Sequence, residues 1–441
     1  MSKTTGRILR NADLRHQSQM AGPPLEVLEK ELYRLLTPEN FKPLKESRGI
    51  QEKKLRSRVL NLPVMMAVVI GLVYRRIAGL RELLRILTEE GMLWIEPMQV
   101  SVEALSKRLR TLPASLFVEI FEQVIEKLKS EENLKGVPEK WQGISEKFTG
   151  IWIADGSTLE EIFKKLKVLR KGNTVLGGKM MVIVEAWTYR PVKMWYTEES
   201  KANDKIFTDQ LLEQLPQGGL MIFDLGFFKF GWFDEFTEQK KFFVTRLREK
   251  TAYQVKKTLS QGLYYQDEII QMGLYRSNRC HQPVRLVSVL WGKTWYRYLT
   301  NVLDPEELSA QQVCELYRNR WQIEQAFLLT KRLLGLAYLW VGDSNGIQIQ
   351  ILSTWIFYAV LNQLCTDVAM ALGQPKERIS TEMVFRALYH FSRASLRGET
   401  SDVISYLTSH QKLFGLVKST RKRHREIDAL TQQVWGDRSL S

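Results

Sequence analysis

Apolar positions recur along this chain with two different periods, and the change from one to the other falls near Gly150. From residue 25 to about 140 they return every three or four residues, which predicts helices. The first is "LEVLEKELYRLL", followed by "RRIAGLRELLRILTEEGMLW". "VSVEALSKRLRTLPASLFVEIFEQVIEKL" predicts a short basic helix from Ser101 and a longer one after Pro113, a residue suited to a helix start. "LNLPVMMAVVIGLVY" is apolar on every side and predicts a buried helix. Two short helices around Gly91 followed by "SKRLR" have the outline of a helix-turn-helix; an all-helical packing or dimerisation domain fits the same pattern.

Past Gly150 the segments are β-rich. "FTGIWIADGST" is an apolar run ending at Asp155, and "KMMVIVEAWTYRP" and "VKMWYTEES" are separated by Pro191, so three neighbouring strands are expected. A helix at "NDKIFTDQLLEQL" follows, then a stop at Gly218-Gly219, then a strand at "LMIFDLGFF" ending in Asp224. Three strands, a helix and a strand make an α/β domain. "KFFVTRLR", "AYQVKKTL", "YYQDEIIQMG", "PVRLVSVLW" and "TWYRYLTNVL" are again β-rich and too long a stretch for a loop, so they read as an insertion at about 228–305. Beyond Leu336 the pattern is helical to the end. There "IQIQILSTWIFYAVLNQLCTDVAMAL" is interrupted by polar residues, as a core helix is and a membrane helix is not.

One helical stretch carries more than packing. In "LYRNRWQIEQAFLLTKRLLGL", Tyr317, Arg320, Glu324 and Lys331 are separated by two, three and six residues. At about 100° per residue the last three lie roughly −60°, −20° and −40° from Tyr317, on one narrow face. Leu316, Ile323, Phe327 and Leu334 form an apolar stripe beside it. A polar margin of this kind is an ordinary solvated face or the wall of a site.

Composition narrows the choice. The 441 residues carry 64 Lys and Arg against 49 Asp and Glu, a net charge of +15, with the basic residues spread along the chain and clustered again in "VKSTRKRHREI". Polyanions are the natural partners. An anionic membrane surface matches on charge alone, but the basic segments lack an amphipathic anchor. Cys280, Cys314 and Cys365 are scattered and odd in number, which argues against a disulfide framework. The five histidines make no zinc spacing with them. The polar, basic start is not a secretory signal, so a soluble cytoplasmic protein is expected.

An Asp before "GS", or the Asp of "DLGF", is by itself often a turn residue. Taken together, Asp155 and Asp224 close two strands that would be neighbours, and a helix beside them would bring Glu324 into the same crevice. Three bare carboxylates repel one another unless cations neutralise them. Two Mg2+ ions suit hard oxygen ligands and phosphodiester chemistry, and Mn2+ can take their place.

"ADGST", "FDLGF" and the four-residue signature from Tyr317 to Lys331 closely resemble the DDE transposases of bacterial insertion sequences, the YREK-bearing, IS-four-like family. The resemblance is firmest over residues 145–345. It implies an RNase H-like catalytic core with a β-strand insertion, an endonuclease and strand-transfer activity that moves a DNA element by cut and paste, and a hairpin step. Asp155, Asp224 and Glu324 would be the metal ligands. Tyr317, Arg320 and Lys331 would hold the terminal DNA strand. Trp295, with Trp291 or Tyr296 beside it, sits where the family stacks a flipped base, although a tryptophan in a β segment is often a core residue. Lys107 and Arg108 on the Ser101 helix would read the element end, and Arg421, Lys422 and Arg423 would add affinity for any duplex.

The expected partners are double-stranded DNA, as terminal inverted repeats and as target, and a second copy of the chain in a homodimer that joins two ends. No membrane is involved. The expected division is a helical DNA-binding domain at 1–145, a catalytic domain at 146–345 and a C-terminal helical region at 346–441 for dimerisation and DNA contact; in a bacterium the protein would gather at the nucleoid. A structure-selective nuclease on the same core, or a non-catalytic DNA-binding protein derived from a transposase, would share much of this pattern. The first would cut without strand transfer, and the second would bind without cutting.

Overall fold

The computed structural model describes residues 59–77, 79–132, 139–159, 178–336 and 343–419, with short pieces at 29–30, 32, 170–171, 174–175 and 434–435. The helix expected at 25–36 lies almost wholly outside the described residues, as do Arg421, Lys422 and Arg423.

The helical part opens with α1 (Leu62–Tyr74), whose first turn is capped by the Asn61 side chain accepting from Val64 N at 3.0 Å and contains Pro63, where no backbone donor is needed. Its sides are nearly all buried, as its uniform apolarity requires. There follow α2 (Leu80–Glu89), α3 (Val102–Thr111), α4 (Ser115–Glu132) and α5 (Glu139–Ser145). Ser101 caps α3 by accepting from Ala104 N. Residues 90–101 separate α2 from α3, a longer connection than the three- or four-residue turn of a helix-turn-helix. Leu105 and Leu109 turn α3 inward, which leaves Lys107 exposed and Arg108 half-buried.

The sheet begins with β1 (Ile151–Thr158), β2 (Lys179–Glu185) and β3 (Pro191–Thr197). After α6 (Thr208–Gln214) come β4 (Leu220–Ile222), α7 (Phe230–Glu238) and β5 (Phe242–Arg246), then β6 (Tyr253–Gln261), β7 (Tyr265–Met272), β8 (Val284–Trp291) and β9 (Thr294–Thr300). Nine strands pair in the order β3-β2-β1-β4-β5-β9-β8-β7-β6. β1 runs antiparallel to β2 and parallel to β4, and β4 is parallel to β5. This five-stranded 3-2-1-4-5 arrangement is consistent with an RNase H-like architecture. The stretch expected as an insertion at about 228–305 therefore contains α7 and β5, which complete the first five strands, before four strands are added to their edge through the antiparallel β5–β9 pair.

Helices cover both faces. On one, a cluster including Phe207, Phe223, Phe227, Trp232, Phe233, Phe236 and Phe243 packs α6 and α7 beneath the turn after β4. On the other, one continuous core joins Ile151, Ile153, Val182, Val287 and Tyr298 to α1, α4, α8 (Ala310–Asn319), α9 (Trp321–Leu328) and α10 (Ser344–Ala371). α10 has 28 residues and is buried on most sides. "STWIFYAVLNQL" within it is thus internal packing. Asn345, near its start, donates to Leu112 O at 2.7 Å and accepts from Ala114 N at 3.0 Å, tying the corner between α3 and α4 to the centre of the molecule. α11 (Thr381–Leu396), α12 (Val403–Ser409) and α13 (Gln411–Phe414) complete the described chain. Among the described residues no helix is long and apolar enough to cross a membrane.

Candidate active site

Ile153 of β1 stands opposite Ile222 of β4 in parallel register. Asp155 and Asp224 each lie two residues beyond that pair, so both carboxyl groups leave the sheet on the same side; Asp224 follows the end of β4 as expected, but Asp155 does not close β1, which runs on to Thr158 in its pairing with β2. Asp155 accepts from Gly156 N at 2.8 Å. Asp224 caps a single turn, Leu225–Phe227, by accepting from Gly226 N at 2.8 Å, and Thr245 Oγ1 on β5 donates to the preceding Phe223 carbonyl at 2.9 Å.

The third carboxylate comes from the helical run along the sheet. A single straight α-helix was expected over residues 316–336. Instead α8 ends at Asn319, the regular helical bonding is interrupted at Arg320, α9 continues to Leu328, and Leu329–Leu333 forms a π-turn with Leu334 N donating to Leu329 O at 3.0 Å. The wide turn breaks the 100° count before Lys331, yet the four signature residues still gather at one place. The Arg320 guanidinium bridges two carboxylates, with Nη1 donating to Asp155 Oδ2 at 2.8 Å and Nη2 to Glu324 Oε1 at 2.7 Å. Arg320 also lies 5.8 Å over the Tyr317 ring, which packs against Tyr298. Lys331 Nζ donates to Ser157 Oγ at 2.6 Å and Thr158 O at 2.8 Å, holding the end of β1.

The electrostatics follow from this geometry. Burial pushes the Asp155 carboxyl up to about 7; the Arg320 charge and the Gly156 N–H pull it down, while the charges of Asp224 and Glu324 push it further up. Burial also raises the Tyr317 hydroxyl. The three acids offer the hard oxygen donors that Mg2+ takes. Among the described residues, however, no three acidic, histidine or cysteine side chains surround one point closely enough to hold a metal, and Arg320 spans two of the three. The donor chemistry fits the ion; the arrangement fits it only if Arg320 gives up its carboxylates.

Trp295 is 41% exposed on β9. It pairs in register with Leu290, whereas Tyr296 and Tyr298 pair with Val289 and Val287. Because side chains alternate across a strand, Trp295 leaves the face opposite to Tyr298 and Tyr317. The insertion aromatics on the face that meets α8 are Trp291, with Arg318 4.9 Å over its ring, and Tyr296 beside it at 5.4 Å. Lys107 and Arg108 belong to α3, outside this cluster.

Sequence reasoning passed over two residues here. Trp321 is 59% exposed, next to Arg320 and one turn before Glu324; a tryptophan on the polar margin of an amphipathic helix was the available signal. Asp204, in the turn Asp204–Phe207 between β3 and α6, approaches both Gly156 and Gly226, and no local pattern marked it.

One carboxylate thus stands within the first strand, one just past the fourth, and a third on the flanking helix. Residues 161–358 match the family model described as a transposase DDE domain, a stretch that includes Asp224 and the residues from Tyr317 to Lys331. Asp155 lies just before it.

Three similar proteins are named as transposases. One, from Sinorhizobium fredii, is 24% identical over 50% of this chain and 62% of its own length. One from Geobacillus stearothermophilus, for insertion sequence element IS5377, is 25% identical over 33% of this chain and 39% of its own. One from Synechocystis, for element IS4SA, is 24% identical over 37% and 46%. The matches thus span less than two thirds of each relative. Among solved structures, a piggyBac transposase synaptic complex with hairpin DNA aligns over 93% of this chain and 89% of its own, with 11% identity and a TM-score of 0.42.

Proposed function

We propose that the protein is a cut-and-paste DNA transposase of the YREK-bearing, IS-four-like kind, which binds the terminal inverted repeats of its element, cuts there and joins the freed ends to target DNA. The observation that carries this reading is the meeting of Asp155, Asp224, Glu324 and Arg320 at one sheet edge, because three acids from distant parts of the chain converge where burial already strains one of them. The transposase DDE domain and the transposase relatives support it.

Asp155, Asp224 and Glu324 would hold two Mg2+ ions, which supply Lewis acidity and an activated oxygen nucleophile for in-line attack on the phosphodiester. The protein's own part is orientation. Arg320 exchanges its carboxylate partners for phosphate oxygens, to which its planar fork is suited, and Tyr317 flanks it. Lys331 holds the end of β1 and offers charge to the same strand. Trp291 or Tyr296 stacks a base displaced at the hairpin step. The net charge of +15 gives general duplex affinity. Two copies assemble on two ends, each cutting in trans, since one such site cannot hold two separated ends.

The test is to incubate the protein with a duplex carrying the inverted repeats that flank its gene, in Mg2+. End-specific nicking followed by strand transfer supports the proposal. Cutting without strand transfer would make it a nuclease, and binding without cutting would make it a non-catalytic DNA-binding protein.

Two further results are expected. Arg320→Lys keeps the charge and loses the fork, so end cleavage is expected to fall on the order of tenfold to a hundredfold while affinity for unrelated duplex changes little, as read by band-shift and nicking assays. An equal loss on unrelated DNA would reduce Arg320 to part of a basic surface. The second concerns pH. The fold favours the acid form of Asp155, so this group's contribution to stability falls as pH rises from the ordinary carboxyl range through about 7. Proton and metal compete for the same oxygens, so nicking is expected to rise with pH towards 7, and the rise should move to lower pH as Mg2+ increases. A profile independent of Mg2+ concentration would sever the link to Asp155.

A further inference from the structure

We propose that Asp204 is a positioning residue that sets the spacing of the Asp155 and Asp224 carboxylates; this rests on the reading of those two residues as metal ligands. Each of those acids is followed by a glycine, Gly156 at the next position and Gly226 two positions on. Neither glycine has a positive φ, so neither is required by its backbone conformation. Space is the constraint. A methyl group on Gly156 would overlap Asp204 Oδ1, and one on Gly226 would stand 3.0 Å from Asp204 Oδ2 and 2.9 Å from Asp224 Oδ1. One carboxyl group therefore sits between the two turns that carry Asp155 and Asp224, with an oxygen against each.

Asp204 is itself fixed. Lys179 Nζ lies 2.6 Å from Oδ1 and donates to Ala202 O at 2.9 Å, with its side chain only 8% exposed. Lys179 opens β2, opposite Thr158 of β1. The ammonium neutralises Asp204, so the group is not a fourth bare acid competing for cations; it is a wedge of defined width. Two catalytic ions must stand about 3.5–4 Å apart. A wedge between their strand-borne ligands is a direct way to hold that distance, and partners behind metal ligands commonly change metal affinity about tenfold to a hundredfold when lost.

The test uses the full chain, Mn2+ binding by titration calorimetry and thermal unfolding. Asp155→Ala and Asp224→Ala should each lose Mn2+ affinity; if neither does, the metal reading fails and this proposal falls with it. Given that loss, Asp204→Ala, which empties the gap, should weaken Mn2+ binding about tenfold to a hundredfold, while Asp204→Asn, close in shape, should keep most of it. Asp204→Glu keeps the charge but is one methylene too long for the gap, and should weaken binding as well. Wild-type affinity in Asp204→Ala or Asp204→Glu, or a loss in Asp204→Asn as large as in Asp204→Ala, would overturn the positioning role while leaving the metal reading intact.

Should Asp204→Ala not fold, the double variant Gly156→Ala/Asp204→Ala, in which a methyl refills the space beside Gly156 but not beside Gly226, should show the same weakened Mn2+ binding. The double variant should also unfold at a higher temperature than Gly156→Ala alone. Additive losses from the two changes would show that the carboxyl does not fill the gap.

Discussion

Alanine at Asp155, Asp224 or Glu324 is expected to reduce end nicking in Mg2+ on the order of 10³-fold or more, while leaving duplex affinity within a fewfold of the parent. The two effects separate because they draw on different residues. Binding is spread over an excess of basic side chains, whereas the three acids converge at one sheet edge. Removing Asp155 or Glu324 also strips Arg320 of one of its two carboxylate partners. The loss of nicking should be as deep for Asp224, which Arg320 does not touch, and that comparison separates the loss of a ligand from the release of Arg320. Any of the three alanine variants that nicks at the parent rate removes its residue from the catalytic set.

The largest expected effect on stability lies in the added strands. Arg285 on β8 is fully buried and meets Asp267 on β7 through two parallel hydrogen bonds, Nε to Oδ1 at 2.7 Å and Nη2 to Oδ2 at 2.6 Å. Its remaining nitrogen, Nη1, donates to Leu308 O at 2.6 Å, just ahead of α8. The pair thus braces the start of the helical run that delivers Arg320 and Glu324. Arg285→Leu leaves Asp267 charged and buried without its partner, and should cost about 3–5 kcal/mol. Arg285→Leu/Asp267→Leu removes both charges and should recover most of that. Denaturant unfolding measures both variants. A double variant no more stable than Arg285→Leu would mean that the hydrogen bond to Leu308, and not the ion pair, is what the fold requires.

Much of this site was legible from local pattern. The uninterrupted apolar runs before Asp155 and Asp224 mark strands, because a strand covered on both faces is apolar on both, although β1 continues to Thr158 past its aspartate. The stripe of Leu316, Ile323 and Phe327 marks a helix lying on that core, with Glu324 at its margin. Less of the geometry along that helix could be read. The interruption at Arg320 and the π-turn at Leu329–Leu333 leave no local sequence signal, and a 100° count assumes neither. Trp295 illustrates the same limit. Its place in a β segment was plain, but which face it occupies depends on register with Leu290, which only strand pairing sets.

The sequence by itself determined the order of elements, the strands that carry or precede the two aspartates, the acidic helix margin and the basic surplus. Each is written within a span of residues short enough for backbone geometry alone to arrange. Tertiary structure decided that Arg320 bridges Asp155 and Glu324, that Lys331 holds the end of β1, that four strands extend the sheet beyond β5, and that Asp204 stands between Gly156 and Gly226. These contacts join residues far apart in the chain, and they form only where strand order, register and packing bring them together, which the period of apolar residues does not encode.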